Sequence, residues 1–172
     1  LRHAKSSWAS PGMDDFDRPL NERGRRDAPV MAAWLEEQNM KIDAILCSSS
    51  ARTRETLSRL ATSTTRKAST HFVDTLYLAT ADTIRALASQ LDDSTATALL
   101  IAHNPGLHET ALQLLTPQQR SQSATMRVSY PTAACAIIDL PIHHWADIAW
   151  DIGTLRSYMV PKARASSAAD DH

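Results

Sequence analysis

Apolar positions along this chain fall into short blocks, and the blocks alternate between two patterns. Residues 42–47 and 98–102 are compact apolar runs of strand length, the pattern of strands buried on both faces. Ala28, Met31, Ala32 and Leu35 recur at i, i+3, i+4 and i+7, and Ile84, Leu87, Ala88 and Leu91 repeat that spacing within residues 80–91. Each set predicts one apolar face of a helix. Further helices are expected from near Ala51, with Leu57, Leu60 and Ala61 inward, and after residue 104, with Leu107, Ala111, Leu114 and Leu115 inward. In the latter, Asn104 would cap and Pro105 would open the first turn. His71-Phe72-Val73 predicts a short strand. Residues 133–140 and 146–152 are two more apolar runs, close enough to pair, with one strand antiparallel at an edge.

The polar stretches set the boundaries. Residues 4–20 carry Pro11, Gly12, Asp14, Asp15, Asp17 and Pro19 and predict a long loop. Asn21 is a candidate N-cap, but Pro29 lacks the N–H that a continuous helix would use. A short turn is therefore expected first, then a helix entered near Asp27 with Pro29 in its first turn. Residues 116–129, rich in Gln and Ser, predict an exposed loop, and residues 163–172 a disordered tail behind a single domain over 1–162.

Strands alternating with helices imply a mostly parallel sheet covered on both faces, a three-layer α/β/α sandwich. Right-handed crossovers line the C-terminal strand ends along one rim, where ligands bind in such folds. Arg2-His3, residues 48–52 and His103-Asn104 each follow an expected strand. Three polar clusters thus converge on one edge. If Arg2-His3 ends a strand, most of that strand lies ahead of Leu1, and the N-terminal strand is expected to be truncated here.

Composition narrows the partners. The 172 residues are 43% hydrophobic and 22% charged, with a formal net charge of −1. No global basic field is available for nucleic acid or an anionic membrane. No apolar run approaches the roughly 20 residues of a membrane span, and no secretory signal opens the chain. Cys47 and Cys135 lie in separate apolar runs without a CxxC, as expected of buried thiols in a reducing cytoplasm.

The converging residues suit phosphoryl transfer, which needs a nucleophile in line and cations on the equatorial oxygens. His3 can attack, Arg2 and Arg52 can bind oxygens bidentately, and His103 can hydrogen-bond the same group. The helix N-terminus near Ser50 adds partial positive charge. Arg54 competes with Arg52, but helical phase separates the two by about 200°, so only one should face the site. No Walker glycine loop is present.

These residues carry a resemblance. Leu1-Arg2-His3-Ala4-Lys5-Ser6 with Trp8, residues 17–24 (DRPLNERG), Ser48-Ser49-Ser50-Ala51-Arg52 with Thr56, Ala102-His103-Asn104-Pro105-Gly106, Leu76-Tyr77-Leu78-Ala79 and Pro131-Thr132-Ala133-Ala134 stand in the order and spacing of a known family. The chain resembles the histidine phosphatase superfamily, with the phosphoglycerate-mutase-like fold, and within it the SixA-type phosphohistidine phosphatases. The resemblance runs from Leu1 to about Lys162. It implies a transiently phosphorylated His3, a pocket completed by Arg2, Arg52 and His103, and no metal or other cofactor. The motif position after Ser48, usually Pro, holds Ser49 here, and Ala102 replaces a usual Gly.

One gap is informative. Mutase and phosphomonoesterase branches of the family use a carboxylate, commonly Glu, to protonate the leaving oxygen. Between Thr56 and His108 this chain has no Glu, and Asp74 and Asp82 sit in no matching motif. An imidazole protonated beforehand leaves without such help, which favours phosphohistidine on a protein substrate. A small-molecule phosphomonoesterase and a phosphate-binding module without turnover are the alternatives. Ser6, Trp8 and Asn104 are further candidates for substrate contact. His108 is expected to face solvent, Arg23, Arg25 and Arg26 to form a solvated face, and His143-His144 lack zinc-site spacing.

Overall fold

The computed structural model describes residues 1–8, 12–62 and 64–161; the expected tail at 163–172 lies outside them. Five strands and six helices make up the regular structure of these residues. Strands β1 (Ala44–Ser48), β2 (Ser69–Val73) and β3 (Ala98–Ile101) form a parallel sheet in the order β2-β1-β3. β4 (Cys135–Asp139) and β5 (Thr154–Met159) form an antiparallel pair. Residues 1–4 bridge the two: the Ala102 amide donates to the Leu1 carbonyl, the Arg2 amide to Ala134, and the Ala133 amide to His3.

Side chains alternate across the sheet and build two cores. Ile45, Cys47, Leu99 and Ile101 pack with Met31, Leu35 and Leu60 on one face. Leu46 and Ala102 pack with Ile84, Leu107 and Ala111 on the other. The helices α1 (Glu22–Glu37) and α2 (Ala51–Arg59) cover the first face, and α3 (Ala81–Ala88) and α4 (Gly106–Leu114) the second. This is the expected α/β sandwich, with a mostly parallel arrangement and one antiparallel edge.

Several local expectations are corrected. Helix α1 begins at Glu22 and runs through Pro29 without a preliminary turn. Asn21 caps it, accepting from the Gly24 amide at 2.9 Å. The buried face of Gly24, Ala28, Met31, Ala32 and Leu35 outweighs the hydrogen bond lost at Pro29. Residues 116–129 are not a plain loop but carry α5 (Pro117–Gln122), capped by Thr116, and α6 (Ala124–Val128), held down by buried Met126. The expected strand at 146–152 is a 3-10 turn (Trp145–Asp147) followed by irregular backbone, with Asp151 at φ 64°. Its apolar residues cover a side cluster around Ile148, and the partner of β4 is the later segment, β5.

Candidate active site

The rim at the C-terminal ends of β1 and β3 receives the loop after Arg2, the turn into α2 and the start of α4. Thr56 fixes the first of these, its hydroxyl accepting from the Ala4 amide at 3.0 Å. His3, Arg52 and His103 are buried there, at 7%, 3% and 1% exposure. The His3 and His103 rings lie 5.0 Å apart, tilted by 50°. Arg2 reaches the same region, its Nη1 donating to the Tyr130 carbonyl at 3.0 Å.

Hydrogen bonds set the states of the two rings. His3 Nδ1–H donates to the Ala4 carbonyl at 2.8 Å, which leaves Nε2 without a proton. Burial, opposed by that bond and reinforced by Arg52, Arg2 and Arg18, lowers the His3 pKa to about 4. His103 Nε2 meets Ser48 Oγ at 2.8 Å, while its buried Nδ1 has no partner among the described residues. Burial, then His3 and Arg52, lower its pKa to about 3. Both rings are neutral at pH 7. Burial and neighbouring Arg52 also lower the Arg2 pKa, though a guanidinium stays charged.

Arg52 and Arg54 separate as their helical phase predicts. Arg52 turns into the site, while Arg54 bonds the Ser49 carbonyl at 2.8 Å and lies over Phe72. Ser6 accepts from Arg18, Trp8 is 76% exposed beneath the Arg18 guanidinium, and the Asn104 amide donates to the Tyr130 carbonyl at 2.9 Å. Asn104 therefore serves Tyr130 rather than capping α4, whose cap position is Pro105 after a cis bond. His108 is not solvent-facing: it stacks on Tyr130 and its Nε2–H donates to the Met126 carbonyl at 2.6 Å. Ser49 donates to Asp74, and His144 pairs with Asp93 at 2.7 Å.

Three residues at the site were not foreseen in any role. Arg18 donates to Ser6, to the Ser7 carbonyl and to Asp15. Tyr77 packs edge-on against His103 at 5.3 Å and donates to Asp15 at 2.5 Å. Asp15 receives both of these and Arg52, and these contacts hold its pKa near 2, with the Tyr77 bond the largest cause. Arg18 stands inside a matched motif, which was a usable signal. Tyr77 likewise stands inside the matched stretch Leu76-Tyr77-Leu78-Ala79, whereas Asp15 gave no signal beyond its place in a loop.

An α/β protein with buried arginines and two neutral histidines at its strand ends is an anion-binding, phosphoryl-transfer type of molecule. Comparisons with known proteins narrow this. Residues 1–77 match the model of the histidine phosphatase superfamily, branch 1. An uncharacterized protein of Mycobacterium tuberculosis is 31% identical over 164 residues, covering 94% of this chain and 100% of that protein. The fold matches a protein from Nakamurella multipartitia proposed to be the phosphohistidine phosphatase SixA, at TM-score 0.81 and 27% identity over 94% of this chain and 93% of the other. Its counterpart from Agrobacterium tumefaciens matches at 0.76 and 28%, over 94% and 95%. The chain belongs to the histidine phosphatase superfamily and is of the SixA type, a phosphatase hydrolase.

Proposed function

We propose that this protein hydrolyses phosphohistidine on a protein substrate through a phosphorylated His3. The carrying observation is the bond from His3 Nδ1–H to the Ala4 carbonyl, which leaves a neutral Nε2 lone pair among Arg2, Arg52 and His103. Nε2 attacks phosphorus, and the arginines take the oxygen charge that grows in the transition state. The substrate's P–N bond breaks, its electrons return to the leaving nitrogen, and a ring protonated on its other nitrogen departs neutral. Ser48 donating to His103 Nε2 would put that ring's proton on Nδ1, a donor for a phosphoryl oxygen.

The second half runs the same way. Phospho-His3 keeps Nδ1–H on Ala4, so its ring is already the protonated leaving group. Water attacks phosphorus, its proton passes to phosphate, and Nε2 leaves with its electron pair. Arginines supply the positive charge, so the scheme needs no metal. The choice of a phosphoramidate over an alkyl ester rests on Asp15, the carboxylate bonded to Arg52, being held ionised rather than protonated. Exposed Trp8 and Leu78, neighbours of the site in sequence, support a protein surface as partner.

Single-turnover reaction with a labelled phosphohistidine peptide tests this. An acid-labile, base-stable phosphoenzyme is expected, absent in His3→Ala, with sugar phosphates turned over far more slowly. A substrate consumed at the normal rate by His3→Ala would remove the nucleophile, and preference for the sugar phosphate would remove the substrate class.

A further inference from the structure

Asp15 enters the scheme above only as a carboxylate that gives no proton, yet it bonds Arg52, Arg18 and Tyr77 at once. It opens a 3-10 turn (Asp15–Asp17) in the loop ahead of α1. Its carbonyl accepts from Arg52 Nη1, and its Oδ2 accepts from Arg52 Nη2 at 2.9 Å. Both terminal nitrogens of one buried guanidinium are thus held by a single residue. The carboxylate is itself fixed from two more sides, by Arg18 Nη1 at 2.5 Å on Oδ1 and by Tyr77 Oη at 2.5 Å on Oδ2. Tyr77 in turn packs between Phe16, at 5.0 Å, and His103, at 5.3 Å.

Each terminal nitrogen of Arg52 carries two N–H groups, and Asp15 uses one on each. The guanidinium has five N–H groups in all, so this grip does not exhaust its donors. An arginine reaches its target through four rotatable bonds, so a two-point hold on its far end decides the plane of the fork. The carboxylate stays ionised across the working pH range, which makes these bonds charge-assisted and excludes proton donation from Asp15.

We propose that Asp15 is a positioning residue, which sets the plane of Arg52 by a two-point grip before substrate arrives. The proposal rests on the phosphatase reading, and its test separates the two. The variants are Asp15→Ala, Asp15→Asn, Arg52→Lys and Asp15→Ala/Arg52→Lys. Arg52→Lys keeps the charge but offers no fork to grip. On phosphohistidine peptide, Asp15→Ala is expected to lower kcat/KM by 10- to 100-fold, mainly in kcat, with Asp15→Asn in between because it keeps an acceptor oxygen. Adding Asp15→Ala to Arg52→Lys should cost less than twofold.

The same four proteins are titrated with tungstate by calorimetry, which reads the cradle without turnover. Asp15→Ala should weaken tungstate in the wild-type background and leave it unchanged on Arg52→Lys. An equal loss in both backgrounds would overturn the proposal, since Asp15 would then act independently of Arg52. Tighter tungstate binding in Asp15→Ala would also overturn it, marking the carboxylate as a competitor for the cradle. Wild-type protein that binds tungstate but turns over no phosphorylated probe would end the phosphatase reading and still leave the Asp15–Arg52 coupling measurable. If Asp15→Ala fails to fold, Asp15→Asn carries the same cycle.

Discussion

Burial sets the protonation of the two site histidines, and that has a consequence in pH. A histidine free in water gains its proton near pH 6.5, but His3 does so near 4 and His103 near 3. The nucleophile therefore keeps its lone pair well into acid. The acid limb of kcat/KM for the free enzyme is expected near pH 4, and a limb near 6.5 would show His3 to be solvated. Stability moves with the same groups. Between pH 6.5 and 4 the unfolded chain binds protons that the folded rings refuse, so the folded state weakens as pH falls through that window. Urea midpoints should drop between pH 7 and 4.5, and His103→Asn should flatten the slope. At this scale the sequence was legible where residues follow strands: Arg2, His3, Arg52 and His103 could be placed on one rim from topology alone. Asp15 could not, because a loop of turn formers has no phase from which a side-chain direction can be read.

Elements were legible where periodicity was strong and unreadable where packing overrode it. Helix α1 shows both. Its apolar face gave the helix, but Pro29 pointed to a later start than the cap at Asn21 allows. What fixes the first turn is contact with the loop after His3. The Asn21 amide donates to the Lys5 carbonyl at 2.9 Å, and a Cβ on Gly24 would collide with that same carbonyl and with the Lys5 amide nitrogen. Backbone is on the receiving side, so neither partner can rotate away. Gly24→Ala is expected to destabilise by about 1–3 kcal/mol and to cut turnover by moving the loop that carries His3. Urea melts and kcat measured together test it. Unchanged turnover in a destabilised variant would mean that the loop is held from Thr56 alone. The misplaced last strand has the opposite cause: residues 146–152 are apolar because they cover Ile148 and its neighbours, and burial without pairing looks like a strand in sequence.

Across the described residues, the parallel sheet and the antiparallel pair are joined through residues 1–4. The Leu1 ammonium donates to the Leu100 carbonyl at 2.9 Å, and ahead of it β3 and β4 stand apart. Between them opens a cavity of about 450 Å³, lined by Ala98 and Leu99 on one side, Cys135 and Ile137 on the other, and Leu35 and Met40 of the α1 end below. These six side chains are apolar, Asp93, Thr95, Asp139, His143 and Arg156 also line the space, and the facing strand edges present backbone groups without a ladder partner of strand length. At about 3.3 Å per residue, five residues would span the edge of β4. Alternating aliphatic side chains would reach both cores, each stabilising by about 1.5–3 kcal/mol on burial against about 1–2 kcal/mol for ordering its backbone. The completed ladder satisfies two edges at once. A chain extended ahead of Leu1 by five residues of Val and Ile is therefore expected to melt several degrees higher than the same chain extended by five of Gly and Ser. The difference should appear in thermal scans and as slower amide exchange in β3 and β4. Equal melting of the two extensions would show that the edges close on each other in solution, and that residues 1–4 alone suffice to hold the nucleophile against the rest of the site.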